Sequence, residues 1–242
     1  MVTLRLINPG RRNALGAAAA SEFRDAFADL ASDRSVAALI LACDGDHFCS
    51  GGDLDMILGW SELEGAAIAD EVRLFYRSFL GMRRLPFPVV AAVKGVALGA
   101  GLSLMLAADL SVVAEDARLA ATFIHLGIHP GMGSTSLFSQ TLGPSLALDL
   151  LLTGRSLSGM EAHDLHLATR CVPAAEVDTT ALAIAKTIAK QPEVARLLKR
   201  TVYLAQRMGP EDALEVEALA QGVNIPSWKV RELLAQATKG SR

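Results

Sequence analysis

The sequence has few cysteines, few aromatic residues and no strong excess of charge. Its three cysteines, Cys43, Cys49 and Cys171, form no CxxC pair, which argues against a disulfide framework or a zinc site and favours a reducing cytosol. Lys and Arg total 23 against 26 Asp and Glu, so the net charge of -3 provides no field that would gather nucleic acid or an anionic membrane. Any phosphate binding must therefore be local.

Long apolar runs and the common nucleotide motifs are also missing. The first seven residues contain no long apolar stretch, and every later apolar run is broken by a charge, Gly or Pro before about 18 residues. The spacing Gly95-x-x-x-Gly99-x-Gly101 is not GxGxxG, and the P-loop pattern GxxxxGK[ST] does not occur. We therefore expect a soluble, non-secreted cytoplasmic protein without a membrane span or a dinucleotide site.

Apolar segments of strand length alternate with helical patterns along the 242 residues, of which 51% are hydrophobic. Residues 36–43 and 89–93 predict buried strands, and each follows a helical pattern, at 17–31 and 67–83. This alternation is typical of an α/β fold with crossover connections. No linker or composition break divides the chain, so residues 1–190 are predicted to form the core. Residues 191–242 are predicted to form a helical region of the same domain.

Two Gly-rich turns follow predicted strands, at residues 47–54 and 95–103. Small residues allow the main chain to approach a ligand closely. The second turn also opens a helix, whose N-terminal partial positive charge favours a developing oxyanion. Either turn alone is a common tight connection, so neither identifies a function by itself.

Five segments occurring in order make the sequence resemble the crotonase superfamily, also called the enoyl-CoA hydratase/isomerase family. They are residues 8–15 (NPGRRNAL), 48–54 (FCSGGDL), 93–101 (VKGVALGAG), 126–133 (LGIHPGMG) and 153–162 (TGRSLSGMEA). The resemblance implies a spiral of ββα turns, and a C-terminal helical region that assembles a homotrimer or a dimer of trimers. It also implies an acyl-CoA or enoyl-CoA substrate of fatty acid metabolism. Coenzyme A then enters as part of the substrate, with no separate cofactor and no metal.

The same resemblance assigns residues to the site. The backbone N–H groups of Gly52 and Ala100 are the expected oxyanion donors, which would stabilise an enolate formed from the thioester. A second set of residues is expected to contact the substrate or its CoA part: Arg11, Arg12, Ala14, Gly51, Asp53, Leu54, Phe123 and Lys199. Alternatives remain, since Arg11 and Arg12 also fit a solvated loop, and Asp53 also fits a cap on loop amides.

The sequence departs from the family where hydratases carry two glutamates. Ser103 and Phe123 stand at those positions, and Gly131 stands where isomerases commonly place an acid. A neutral Ser hydroxyl is no general base near pH 7, and Phe transfers no proton. A standard two-glutamate hydratase is therefore not expected.

His129 is the leading candidate acid or base, because imidazole titrates near physiological pH. Its alternative is a hydrogen bond to the loop backbone. Ser103 can hydrogen-bond a water or the substrate, or simply fill a small packing site. Two functions are therefore possible. One is a hydratase/isomerase-like enzyme, which would be a lyase or an isomerase. The other is a non-catalytic acyl-CoA-binding protein.

Overall fold

The computed structural model of the chain describes residues 1–240. Contacts within the chain divide it into two compact units, Met1–Lys190 and the helical region that begins at Gln191. This boundary coincides with the one expected from the sequence. Membership of both regions in a single domain stays a prediction.

Eight strands form two sheets in the described part of the chain: β1 (Val2–Leu6), β2 (Leu39–Cys43), β3 (Val89–Val93), β4 (Val96–Leu98), β5 (Leu110–Ala114), β6 (Arg118–Ala120), β7 (Ser156–Ser158) and β8 (Arg170–Val172). The larger sheet has the order β1-β2-β3-β5-β8, and every neighbouring pair is parallel. All residues of β2 and β3 are buried, which explains their continuous apolar sequences. The predicted α/β class and both predicted strands are confirmed, although β2 begins at Leu39.

The smaller sheet has the order β4-β6-β7, with β4 and β6 parallel and β6 and β7 antiparallel. The chain passes from β3 to β4 and again from β5 to β6, so successive strands alternate between the two sheets. A helical segment follows each such pair. This repeat is a ββα turn, as the sequence resemblance implied.

Eight α-helices lie in the described part of the first unit: α1 (Ala17–Ser32), α2 (Leu54–Trp60), α3 (Gly65–Leu80), α4 (Ala100–Ala107), α5 (Ser134–Leu142), α6 (Pro144–Thr153), α7 (Gly159–Asp164) and α8 (Val177–Ile188). The second unit contains α9 (Pro192–Ala205), α10 (Pro210–Asn224) and α11 (Trp228–Gly240). The predicted helices at 17–31 and 67–83 correspond to α1 and α3. The sequence analysis did not predict α2.

An aromatic cluster joins α1, α2 and α3. The ring centroids of Phe23 and Phe79 lie 4.9 Å apart, and those of Phe75 and Phe79 lie 5.0 Å apart. Trp60, the last residue of α2, contacts Phe75 edge to face at 5.4 Å. Such aromatic pairs add about 0.5–1.5 kcal/mol beyond the burial of their area. The cluster therefore fixes α2 and α3 on the body of the unit, where both border a cavity.

Candidate active site

The first Gly-rich turn lies directly against the second. The N–H of Cys49 donates to the carbonyl of Val96 at 3.0 Å, and the N–H of Leu98 donates to the carbonyl of Cys49 at 3.0 Å. These two hydrogen bonds align residues 49–52 beside β4, which leads into α4 at Ala100. The first turn is thereby held at the N-terminus of α4.

Glycine is required at two positions of this contact. Gly51 has φ +110, and a Cβ atom there would lie 2.9 Å from the carbonyl oxygen of Leu98 and 3.8 Å from the backbone nitrogen of Ala100. A Cβ atom on Gly101 would lie 2.4 Å from the carbonyl oxygen of Cys49. Any side chain at either position would force the two backbones apart.

Two backbone N–H groups are left without an acceptor where the turns meet. Among residues 1–240, neither the N–H of Gly52 nor that of Ala100 donates a hydrogen bond to the protein. Ala100 is the first residue of α4, so its N–H cannot be used within the helix. The positive end of the helix dipole reinforces this donor. The arrangement suits a ligand oxygen that carries or develops negative charge.

Both N–H groups border a largely apolar cavity of about 330 Å³. Its lining is contributed by the two turns, α2, α3 and the segment 122–129: Ser50, Gly51, Gly52, Leu54, Met56, Ile57, Trp60, Ser61, Ile68, Val72, Phe75, Tyr76, Gly99, Ala100, Thr122, Phe123, Leu126, Ile128 and His129. This described lining contains no Asp or Glu. The cavity therefore suits an apolar group joined to one polar oxygen.

A second, more open cavity of about 580 Å³ adjoins the first. The two share lining residues, among them Ser50, Gly52 and Thr122. Arg11 and Arg12 line the second cavity and are absent from the lining of the first. A continuous path thus runs from a basic loop, past the free N–H groups, into the apolar cavity.

The two arginines of this loop differ in their ionic partners. Arg11 pairs with Asp53 at 2.9 Å and with Asp55 at 2.7 Å, and the hydrogen bond to Asp55 is the main reason that the pKa of Arg11 is raised. Within residues 1–240, the guanidinium of Arg12 has no ion pair or hydrogen bond. The buried side chain of Asn13 fixes the loop by donating to the carbonyl of His47 at 2.7 Å. Arg12 is therefore the better placed of the two to meet a phosphate.

The side chain of Asp53 has a structural role as a helix cap. Its Oδ1 accepts hydrogen bonds from the N–H groups of Asp55 at 3.0 Å and Met56 at 3.2 Å, which caps α2. Leu54 is 61% exposed and borders both cavities. Ala14 borders the second cavity. Contacts of these residues with a CoA moiety stay predictions.

Positions 103 and 123, where the resemblance predicts the glutamates of hydratases, have different surroundings. Phe123 lines the apolar cavity. Ser103 is fully buried and is absent from that lining. Its hydroxyl oxygen lies 2.6 Å from the hydroxyl of Ser134, with which it shares a hydrogen bond, and 3.1 Å from the carbonyl oxygen of Gly99. The structure thus engages the Ser103 hydroxyl with the protein, and its predicted contact with water or substrate stays a prediction.

The histidines His125 and His129 also differ in their surroundings. His129 is exposed and lines the apolar cavity, while its Nδ1 lies 2.8 Å from the carbonyl oxygen of Pro130. A carbonyl only accepts, so Nδ1 carries the proton in the neutral ring and Nε2 is left as an acceptor. His125 instead has its Nε2 3.2 Å from the carbonyl oxygen of Gly154. Of the histidines in residues 1–240, His129 alone lines the apolar cavity.

Sequence reasoning did not single out Tyr76, which lines the cavity together with Trp60. Both lie in or next to helices whose aromatic residues read as core. The available signal was a tyrosine, with its polar tip, directly next to the buried Phe75. Lys199, the expected phosphate contact, lies in α9 of the second unit, and its role stays a prediction.

Comparison with known proteins gives the family. The chain matches the family model described as enoyl-CoA hydratase/isomerase over residues 1–232. It is 34% identical over 233 residues to human enoyl-CoA hydratase domain-containing protein 2, mitochondrial, covering 93% of this chain and 79% of that protein. A putative enoyl-CoA hydratase of Thermus thermophilus is 36% identical over 216 residues, covering 89% and 85%.

Solved structures agree with this result. An enoyl-CoA hydratase from Polaromonas matches with a TM-score of 0.91 at 27% identity, covering 99% of this chain and 93% of that one. A putative enoyl-CoA hydratase from Thermobifida fusca, solved in complex with acetoacetyl-CoA, matches with a TM-score of 0.83 at 29% identity, covering 93% and 91%. The fold is that of the crotonases. The chain belongs to the enoyl-CoA hydratase/isomerase family, so the predicted membership and fold class are confirmed.

Two features of residues 1–240 concern metal binding and membrane insertion. Across residues 1–240, no three His, Cys, Asp or Glu side chains gather in a way that could hold a metal ion. In the same part of the chain, none of the helices has the length and apolar character needed to cross a membrane.

Cys49 beneath the first turn gives a prediction about pH. Its thiol is fully buried and contacts the backbone N–H of Gly51 at 3.4 Å, and burial raises its pKa from 9.0 to about 12. In the unfolded chain the thiol ionises above pH 9, whereas in the folded chain it stays neutral to about pH 12. Stability from this group is therefore complete below pH 9 and is lost as pH rises.

Between pH 8 and pH 10, the free energy of unfolding of the wild type should fall by about 1.4 kcal/mol more than that of Cys49→Ala. Urea unfolding at both values measures the difference. Equal decreases in the two proteins would contradict the enclosed, neutral thiol beneath the turn.

Proposed function

We propose that the chain is an enzyme that binds an acyl-CoA thioester and stabilises its enolate through the N–H groups of Gly52 and Ala100. The observation that carries the proposal is the pair of free N–H groups at the edge of an apolar cavity. A thioester oxygen gains negative charge when its acyl chain reacts at the α or β carbon. Fixed donors aimed at that oxygen favour the transition state over the ground state.

Support for a CoA ester comes from the path between the cavities. An apolar acyl group suits the inner cavity, and the unpaired guanidinium of Arg12 suits a phosphate at the outer end. Acetoacetyl-CoA, an acyl-CoA, is bound by the similar protein from Thermobifida fusca. We extend this ligand class to the present chain, with coenzyme A as part of the substrate.

Hydration of a 2-enoyl-CoA can proceed at this site without a carboxylate, with every proton and electron pair accounted for. Water bonds to carbon 3 while the electron pair of the double bond moves onto the thioester oxygen, which accepts hydrogen bonds from Gly52 and Ala100. Nε2 of His129 takes the proton that the water loses. The enolate then collapses, and carbon 2 receives a proton from the imidazolium. His129 ends in its starting state.

A second candidate function rests on the same cavity. Because its described lining contains no Asp or Glu, a protein that binds acyl-CoA without turning it over is also consistent with the site. Measuring hydration of 2-enoyl-CoA esters of increasing chain length, with their affinities by calorimetry, separates the two functions. Turnover above background supports the enzyme, and tight binding without turnover supports the binding protein.

We further propose a homotrimer or a dimer of trimers in the cytosol. Support for assembly comes from large apolar side chains exposed on the second unit, among them Leu198 at 61% and Leu219 at 71%. The free cysteines support a reducing compartment. Sedimentation of the purified protein should give a mass of three or six chains, and a monomer at micromolar concentration would contradict the assembly.

Ala100→Pro tests the oxyanion donors. Proline fits the first position of a helix but has no N–H, so the fold should persist while one donor is lost. Turnover of the best 2-enoyl-CoA should fall by at least about 100-fold, and thioester affinity should also weaken.

Ala100→Gly is the matched control, because it keeps the N–H and should keep both turnover and affinity. Circular dichroism and thermal melting of the variants establish that each is folded. Unchanged turnover in a folded Ala100→Pro variant would contradict the proposed function.

His129→Ala tests the proton transfer. Turnover should fall by at least about 100-fold with little change in affinity for the CoA ester, since the imidazole acts on the proton rather than on binding. His125→Ala is the control, because that ring contacts the carbonyl of Gly154 instead. Equal turnover in His129→Ala and the wild type would assign the proton transfer elsewhere.

A further inference from the structure

Tyr76 carries a phenol hydroxyl and is one of the residues that line the apolar cavity. The residue is half-buried on α3. Its ring packs beside that of Phe75, with centroids 6.1 Å apart, and Phe75 belongs to the aromatic cluster that holds α3 in place. The position of the ring is therefore set by the core of the unit.

The tip of the ring rests on the backbone of Gly131. A Cβ atom at Gly131 would lie 1.9 Å from the hydroxyl oxygen of Tyr76 and 2.3 Å from Cζ, so the tyrosine occupies the place of a side chain there. The carbonyl of Gly131 accepts a hydrogen bond from the buried hydroxyl of Ser134 at 2.5 Å, which fixes this backbone. The hydroxyl thus lies at the end of a ring that the core holds in place, and it packs against a fixed loop.

The hydroxyl is also available. Within residues 1–240 it makes no hydrogen bond to the protein, and it is absent from the enclosed side-chain atoms that lack a partner. Its oxygen is therefore not fully enclosed, on a residue that lines the cavity. Burial raises the pKa of Tyr76, so the phenol is neutral and a donor at physiological pH.

The two serine hydroxyls of the lining are engaged by the protein. The hydroxyl of Ser61 donates to the carbonyl of Leu58 at 2.6 Å, and that of Ser50 donates to the carbonyl of Arg11 at 3.2 Å. Thr122 remains as a second hydroxyl without a partner in the described chain, and its oxygen would lie 3.2 Å from a Cβ atom on Gly99, beside the free N–H of Ala100. The Tyr76 hydroxyl is accordingly the donor that the α3 wall offers to a bound acyl chain.

We propose that the hydroxyl of Tyr76 donates a hydrogen bond to an oxygen on carbon 3 of the acyl chain, which makes the cavity select acyl-CoA thioesters oxygenated at that carbon. The inference rests on the proposed function, in which the thioester oxygen is held by Gly52 and Ala100. A cavity of about 330 Å³ then holds a short acyl chain whose first carbons extend from that point. Carbon 3 is also the atom to which the proposed hydration adds its oxygen. A phenol without a hydrogen-bond partner in an apolar wall raises the affinity for an acyl chain that presents an acceptor oxygen. It does not raise the affinity for a chain that presents a methylene group there.

The test is the affinity of two four-carbon thioesters, acetoacetyl-CoA and butyryl-CoA, measured by calorimetry. They differ by the oxygen on carbon 3, and neither carries a double bond to hydrate. The wild type should prefer acetoacetyl-CoA. In Tyr76→Phe this preference should fall by about five- to tenfold, with the affinity for butyryl-CoA unchanged.

Two further variants make the result specific. Tyr203→Phe removes the only other tyrosine hydroxyl of the sequence and should leave the preference intact. Thr122→Val should also leave it intact, and loss of the preference there but not in Tyr76→Phe would overturn the inference. An unchanged preference in Tyr76→Phe would overturn it as well. Failure of the wild type to bind either thioester would instead contradict the proposed function itself.

Discussion

The site depends on one close approach between two pieces of main chain. The turn at 49–52 and the start of α4 meet so tightly that a Cβ atom at Gly101 would lie 2.4 Å from the carbonyl oxygen of Cys49. Hydrogen bonds between Cys49 and β4 hold the turn in this position. The N–H groups of Gly52 and Ala100 are left at the edge of the cavity without a partner in the described chain. Main-chain donors cost no reorganisation when charge develops, because the fold already fixes their direction.

Because the proposed electrostatic stabilisation comes from the backbone, the side chains around it are free to differ from those of the hydratases. Phe123 adds apolar surface to the cavity, and Ser103 is enclosed with Ser134 beneath it. Neither change disturbs the turns, and the crotonase fold is retained with a TM-score of 0.91 to a solved enoyl-CoA hydratase. In the proposed function, His129 and Tyr76 supply polar groups to the cavity.

The low net charge of the sequence implied that any phosphate binding would depend on local charges. The charged side chains around the outer cavity form such a local arrangement. Asp53 caps α2 and also neutralises Arg11, so one carboxylate stabilises both the helix and the loop. Within residues 1–240, the guanidinium of Arg12 on the same loop makes no ion pair, and Asn13 holds the backbone of the loop. A pair of adjacent arginines thus contributes one cation that can meet a ligand phosphate. The ion pairs of Arg11 add little stability because its guanidinium is exposed to solvent, so their main effect is to set the shape of the loop.

The sequence by itself determined the α/β class, the buried strands, the helices α1 and α3, and the family, because these depend on local periodicity and on ordered short motifs. It also indicated that the glutamates are replaced, since identity at an aligned position needs no coordinates. Only the tertiary structure decided that Arg11 is paired, that Ser103 is enclosed, and that Tyr76 fills the space beside Gly131. Each of these is a contact between residues tens of positions apart, for which hydrophobic periodicity carries no signal. Helix α2 was missed for a related reason: its seven residues are too few to show a helical period, and its stability comes from the Asp53 cap and from Trp60 packing on Phe75.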